Sequence, residues 1–204
     1  MMLSLIALAG ALTGPRGDQA LAEQLWRRIQ TAQFKNPMYR MVTLVISPEG
    51  EVISCEPGEG KGDKASLEKV CSVVKSLRYG GKASIDGKPA YGRTRTIISS
   101  FDGPADRPNV SLLPELDMQV DRLPSDTGGE LRLAVNVQVS ALGRVERCEE
   151  TQESRKDYAQ VACKQLLGVV RPVVTDPIGI AVPYVENISA RFTTGLANIS
   201  GVSK

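Results

Sequence analysis

The feature that most limits how this chain folds is a repetition. SPEGEVISCEP, Ser47 to Pro57, ends an apolar run, turns at a glycine and reaches a cysteine five residues later; SALGRVERCEE, Ser140 to Glu150, does the same. The segments before the two turns match as well. In LRLAVNVQV, Leu131, Leu133, Val135, Val137 and Val139 alternate with polar Arg132, Asn136 and Gln138, the period-two signature of a half-buried strand. In MVTLVIS, Val42, Leu44 and Ile46 take the same register at an offset of 93, Val42 to Val135.

Turn chemistry supports the pairing of these runs into hairpins. Pro48 presets the backbone of the turn's second position, and Gly50 can adopt the positive φ that closes a hairpin with a bulge. Ser140-Ala141-Leu142-Gly143 keeps the glycine without the proline, and Val52 and Val145 follow at equal distance. Helical spacing comes next: Leu67, Val70, Cys71 and Val74 fall at i, i+3, i+4, i+7, as do Ala159, Ala162, Cys163 and Leu166. Asp63 is the expected N-cap of the first helix, and Ser154 with Asp157 reads as a capping pair for the second. A last strand follows, with Ile97, Ser99 and Phe101 aligned to Ile188, Ala190 and Phe192 at an offset of 91.

Each unit therefore reads strand, strand, helix, strand. The expected fold class is α+β: two small units, each a three-stranded antiparallel sheet covered by one helix. Before them, DQALAEQLWRRIQTAQF predicts a further helix, with Leu21, Leu25, Trp26 and Ile29 facing the first unit.

The four cysteines, Cys55, Cys71, Cys148 and Cys163, lie on the second strand and the helix of each unit. A strand-to-helix bridge is geometrically reasonable where Cα atoms come within about 7 Å. The expected pairing, one of three connectivities, is Cys55 with Cys71 and Cys148 with Cys163; the alternative is four independent buried thiols. Val52 and Cys55 are three apart and belong on opposite faces of a regular strand, so either the strand bulges or the cysteine lies beyond its end. Bridges imply an oxidising compartment.

Composition narrows the chemistry. There is no histidine, which removes the commonest general base and metal ligand. No CxxC pair marks a zinc or thiol-redox site, so neither a metal nor a cofactor is expected. The run Glu149, Glu150 and Glu153 reads as a solvated lead-in to the second helix, and the chain is not expected to be an enzyme. Lys and Arg outnumber Asp and Glu by 14 to 9 up to residue 101 and fall short by 11 to 14 after it. That dipole is too mild, and an aromatic content of 4% too low, to suggest nucleic acid.

MMLSLIALAGALTGPRG carries an apolar run of about fourteen residues, signal-peptide length and too short to span a membrane. It lacks a basic lead. The expectation is a cleaved signal, with candidate sites at Ala7-Leu8-Ala9, Ala9-Gly10-Ala11 and Ala20-Leu21-Ala22; the alternative is a short N-terminal helix.

RMVTLVISPEGEVISCEP, SLEKVCSVVKSLRY and IDGKPAYGRTRTIISSF together resemble the C-terminal domain of the TonB energy-transducer family, and Leu131 through Arg171-Pro172 to Phe192 looks like a diverged second copy. The organisation implied is 1–17 as a possible signal, 18–39 as helix and lead-in, 40–101 as the first domain, 102–130 as a Pro/Gly linker, 131–192 as the second domain and 193–204 as a tail. The resemblance implies a protein of the Gram-negative periplasm that receives an extended peptide from an outer-membrane transporter, or another envelope protein, as an added strand. By position, Arg93, Thr94, Arg95, Thr96 and Ile97 on the strand Tyr91 to Phe101 would be the receiving edge; the other reading of Arg93 and Arg95 is that they guard an edge against aggregation. A transducer also needs a membrane anchor of about 20 apolar residues and a long spacer, which these 204 residues do not contain. The expectation is therefore a binding module with no membrane span. A different expectation is a disulfide-stabilised structural or assembly module of the envelope that self-associates and has no transporter partner.

Overall fold

The computed structural model describes residues 12–15, 19–32, 34–35, 37–101, 111–151 and 155–195. In chain order the elements are β1 (Leu12–Thr13), α1 (Gln19–Ala32), β2 (Met38–Ile46), β3 (Val52–Lys61), α2 (Lys64–Lys75), β4 (Ser84–Ile85), β5 (Lys88–Pro89), β6 (Tyr91–Ser100), β7 (Leu116–Val120), β8 (Glu130–Val139), β9 (Val145–Glu150), α3 (Lys156–Leu166), β10 (Val174–Thr175), β11 (Ala181–Val182) and β12 (Tyr184–Thr194).

The expectation of two separate three-stranded units is overturned. Among the described residues strand outweighs helix, and the main strands form one mixed seven-stranded sheet. The order is β3-β2-β6-β12-β8-β9, with β7 flanking β12. The join is parallel pairing of β6 with β12: Tyr91 opposite Tyr184, Gly92 opposite Val185, Arg93 opposite Glu186. Lower on β12, Ala190–Thr194 pairs in parallel with Leu116–Val120, inside the stretch read as linker. The physical reason is the cost of an open edge. A three-stranded unit exposes the last strand's row of N–H and C=O groups, and here the two last strands partly satisfy each other.

Because corresponding strands join in parallel, the relation between the halves is close to a twofold rotation about an axis along the strands, which turns the sheet over. The two helices consequently lie on opposite faces. Val42, Leu44 and Ile46 face α2, packing with Val70, Val73, Val74 and Ile98. Val45, on the reverse side of the same strand, belongs to the other core, with Val135, Val137, Ala159, Ala162, Ile188 and Phe192 under α3. Both faces are thus covered, which is why TLVI has three consecutive apolar residues.

Local expectations about the hairpins hold in detail. Gly50 (φ +90°) and Gly143 (φ +78°) are left-handed, and a Cβ at either would run into a carbonyl oxygen, that of Tyr79 or Arg171. Those two residues in turn donate their backbone N–H to the glycine carbonyls, at 2.8 and 2.7 Å. The Val52 and Cys55 conflict is settled by bulges. Ser54 opposes Val45 and Val52 opposes Ile46, so Ile53 is the extra residue. The same shift makes Glu146 extra between Val145 and Arg147.

Asp63 caps α2, accepting from the Ser66 N–H at 3.1 Å. The start of α3 differs: Arg155 is its N-cap and makes no side-chain capping bond, while Ser154 lies outside the described residues. The last strands also align differently from the sequence reading. Val42 opposes Thr96 and Val135 opposes Ile188, so the offset is 92, Thr96 to Ile188, and the core-facing set in β6 is Thr96, Ile98 and Ser100. Of the run read as a lead-in to the second helix, Glu149 and Glu150 instead end β9, and Glu153 lies outside the described residues. On α1, Leu25 and Ile29 pack against the α2 core; the Leu21 and Trp26 side chains lie outside the described residues.

Candidate functional site

The densest chemistry lies at the join of the two halves, on the α3 face. Arg93 stands opposite Val45 on one side and Glu186 on the other. Glu186 occupies an inward position of β12, between Tyr184 and Ile188, and is 1% exposed. Such a carboxylate needs partners, because burying an unpaired charge is prohibitive. It has two: Arg93 pairs with one oxygen, and Arg171 Nε reaches the other at 2.9 Å.

The network continues outward. Arg171 also meets Glu115 at 3.2 Å, and Arg95 meets Glu115 at 3.3 Å. Glu115 is placed by the lead-in to β7, where its backbone N–H bonds the Ser189 carbonyl at 2.9 Å, and its carboxylate accepts from the Ser189 N–H at 3.3 Å. Burial works against the charge on Arg171, yet Glu186 and Glu115 outweigh it and hold the guanidinium pKa above its usual value. Next to them, burial, reinforced by Glu186, pushes the Tyr184 hydroxyl up to about 12; that hydroxyl donates to the Pro172 carbonyl at 2.7 Å. Among the described residues, three guanidinium groups against two carboxylates leave one positive charge in the cluster. Arg95, 25% exposed, is its outermost member.

The residues expected to receive a peptide divide into two sets. Tyr91–Arg93 pairs with β12, and Gly92 and Arg93 also have β2 on the other flank, so the strand is not an edge there and Arg93 is committed to Glu186. From Thr94 to Ser99, β2 pairs with one flank, and among the described residues no strand pairs with the other. Thr94 and Thr96 stand opposite Leu44 and Val42, on the α2 face, while Arg95 and Ile97 share the opposite face. The four cysteines form the two expected bridges, Cys55–Cys71 and Cys148–Cys163, with Cα separations of 5.6 and 5.3 Å.

Sequence reasoning missed Glu186, Arg171 and Glu115. The signal for Glu186 was present: in YVENISARF an acidic residue stands where the alternation demands an apolar one, and in GRTRT an arginine stands at the matching height. Among the described residues no group of three or more metal-ligating side chains is placed to hold an ion, and no helix is long and apolar enough to cross a membrane. No protein-family model, no curated protein and no solved structure matches the chain.

Proposed function

We propose that this chain is an envelope protein of the TonB C-terminal-domain kind, built from two copies of one unit, that binds an extended segment of another envelope protein by strand addition. The observation that carries the reading is the flank of β6 from Thr94 to Ser99. Among the described residues it is a run of strand backbone paired on one side only, and such a run offers main-chain hydrogen bonds to an added strand. Arg95 stands beside it with the cluster's surplus positive charge. An acidic side chain on the incoming segment suits that position, since opposite charges steer encounter and fix register. Two disulfides fit an oxidising compartment such as the periplasm.

Acidic extended peptides patterned on the periplasm-facing termini of outer-membrane transporters supply the test, read by amide exchange and chemical-shift mapping. Strand addition predicts that Thr94–Ser99 amides shift and gain protection on saturation, and that Arg95→Gln weakens binding several-fold. Saturating peptide with no change on β6 overturns the reading.

One observation favours the assembly reading instead. The second half exposes Leu142, Val170, Val173, Ile178 and Ile180, with Leu142 at 82% and Ile178 at 80%. Leu142 precedes the glycine that abuts the Arg171 carbonyl and Val173, so part of this set is contiguous, and exposed apolar patches mark interaction surfaces. If that patch is an interface between copies, light scattering shows a dimer that Ile178→Asp with Ile180→Asp dissolves. A monomer at all concentrations contradicts it.

A further inference from the structure

The α2 face of the second half is polar, yet it is covered. β1 lies across it: the Leu12 N–H donates to Glu149 Oε2 at 2.7 Å, and the Leu12 carbonyl accepts from Asn136 Nδ2 at 3.1 Å. Asn136 is in turn held by Asn187 at 3.0 Å. Leu12 pairs with Ile85 and Thr13 with Ser84, and the Leu12 side chain, 5% exposed, packs with Ala83 and Val185. A short strap therefore ties the β4–β5 hairpin of the first half to the sheet of the second.

The charges around the Leu12 nitrogen are more than a neutral amide requires. Glu149 and Arg147 come from β9, with Arg147 bonded to Glu149 at 2.6 Å. Asp86, at the β4–β5 turn, meets Arg147 at 2.9 Å. Asn136 and Gln138 on β8 and Asn187 on β12 are neutral. Lys88 on β5, one strand further from Leu12, is exposed; among the described residues, the two carboxylates against the one guanidinium that bonds them leave a net negative charge beside that nitrogen. The corresponding positions of the first half, at the offset of 93, are Thr43, Ser54 and Glu56, with Glu56 exposed. The second half alone carries this arrangement.

Immediately before Leu12 stands Ala9-Gly10-Ala11, small residues at the two positions a signal peptidase reads, after an apolar run. We propose that a signal peptidase cuts between Ala11 and Leu12, and that the α-ammonium so created pairs with the Glu149 carboxylate. In the cut, water adds across the bond between the Ala11 carbonyl carbon and the Leu12 nitrogen. The hydroxyl goes to the acyl carbon, which becomes a carboxylate, and the Leu12 amine takes up a proton at neutral pH. An ammonium in place of the amide N–H answers the net negative charge and makes the bond charge-assisted. Cutting after Ala22 would instead remove the strap and uncover Asn136.

This inference rests on the extracytoplasmic part of the reading above, and one experiment separates the two. The full chain is expressed in a Gram-negative bacterium, fractionated, and its intact mass and N-terminal sequence determined. The expected product is periplasmic and begins at Leu12. A periplasmic chain beginning at Met1, Gly10 or Glu23 overturns the inference alone; an uncut cytoplasmic chain overturns the compartment with it. In the Leu12-start protein, NMR titration of the α-amino group should give a pKa above its ordinary range of about 7.7–8.0, because an opposite charge favours the protonated form. Glu149→Gln should return it to that range. By the same linkage, the strap's contribution is full below the ordinary value and is lost as pH rises through the raised one. An α-amino group that titrates in the ordinary range in the wild-type protein overturns the pairing.

Discussion

Replacing Glu186 with alanine will destabilise the chain by about 3–5 kcal/mol, the usual cost of removing one partner from a buried ion pair. The size follows from what is left behind. Arg93 and Arg171 both point at this carboxylate, and without it two guanidinium groups stand close together at the join, with Glu115 alone among the described residues to offset them. Glu186→Gln keeps the shape and removes the charge, so it should lose most of the same stability. The joint change Arg93→Met with Glu186→Leu should cost much less than the sum of the single changes. An apolar pair of similar volume avoids the desolvation that a buried ion pair suffers, though Arg171 then loses one of its two partners. Urea denaturation of the wild type, the Glu186→Ala and Glu186→Gln variants, Arg93→Met, Glu186→Leu and their combination checks this, and a cost for Glu186→Ala below about 1 kcal/mol, the value for an exposed pair, would show that the cluster is open to solvent.

Removing both disulfides has the other large effect. Cysteines 16 and 15 residues apart close short loops, and each closure is worth roughly 3 kcal/mol through the unfolded chain's lost freedom. Two such losses approach the whole stability of an ordinary domain, about 5–15 kcal/mol. The reduced protein should therefore be largely unfolded or close to it at 37 °C. The single-bridge variants, Cys55→Ala with Cys71→Ala and Cys148→Ala with Cys163→Ala, discriminate between one sheet and two. Strands of both halves share one sheet, so either variant should lower the midpoint of one common transition. Two transitions, of which each variant moves only its own, would mean that the halves unfold independently. Circular dichroism against denaturant, with and without reductant, gives the answer.

How far the sequence could be read depends on the range of each interaction. The hairpins, the Asp63 cap and the disulfide pairing were legible because each is decided within about 20 residues, by φ-permissive glycines, capping geometry and helical spacing; the spacing of Val52 and Cys55 left a bulge and a strand end open, and the register with β2 decides for the bulge. The single sheet was not legible, because strand pairing across some 93 positions leaves no local mark. Its traces lay in residues that break a local rule. Val45, apolar between Leu44 and Ile46, makes sense once both faces of β2 are covered. Glu186, acidic at a core position, makes sense opposite Arg93.

The candidate site was read in part for the same reason. Arg93 and Arg95 stood out as cations along a strand, but their partners come from β12, the segment after α3 and the lead-in to β7. Without the sheet order, an arginine that holds a buried carboxylate looks the same as one that guards an edge. The one-residue difference in the last strand's alignment has a similar origin. Ile97 and Ile98 are adjacent and equally apolar, and only the ladder with β2 decides that Ile98 faces the α2 core.

The join of β6 to β12 is what makes one sheet of the chain, buries Glu186 between Arg93 and Arg171, and leaves Thr94–Ser99, among the described residues, paired on one side. Nuclear Overhauser spectroscopy on the oxidised protein tests it most directly. Parallel pairing predicts interstrand contacts between backbone protons of Tyr91–Arg93 and Tyr184–Glu186, with the interior amides of that stretch slow to exchange. Spectra in which these two segments show no contact with each other, and their amides exchange at the rate of an open strand edge, would contradict the single sheet and everything placed on it.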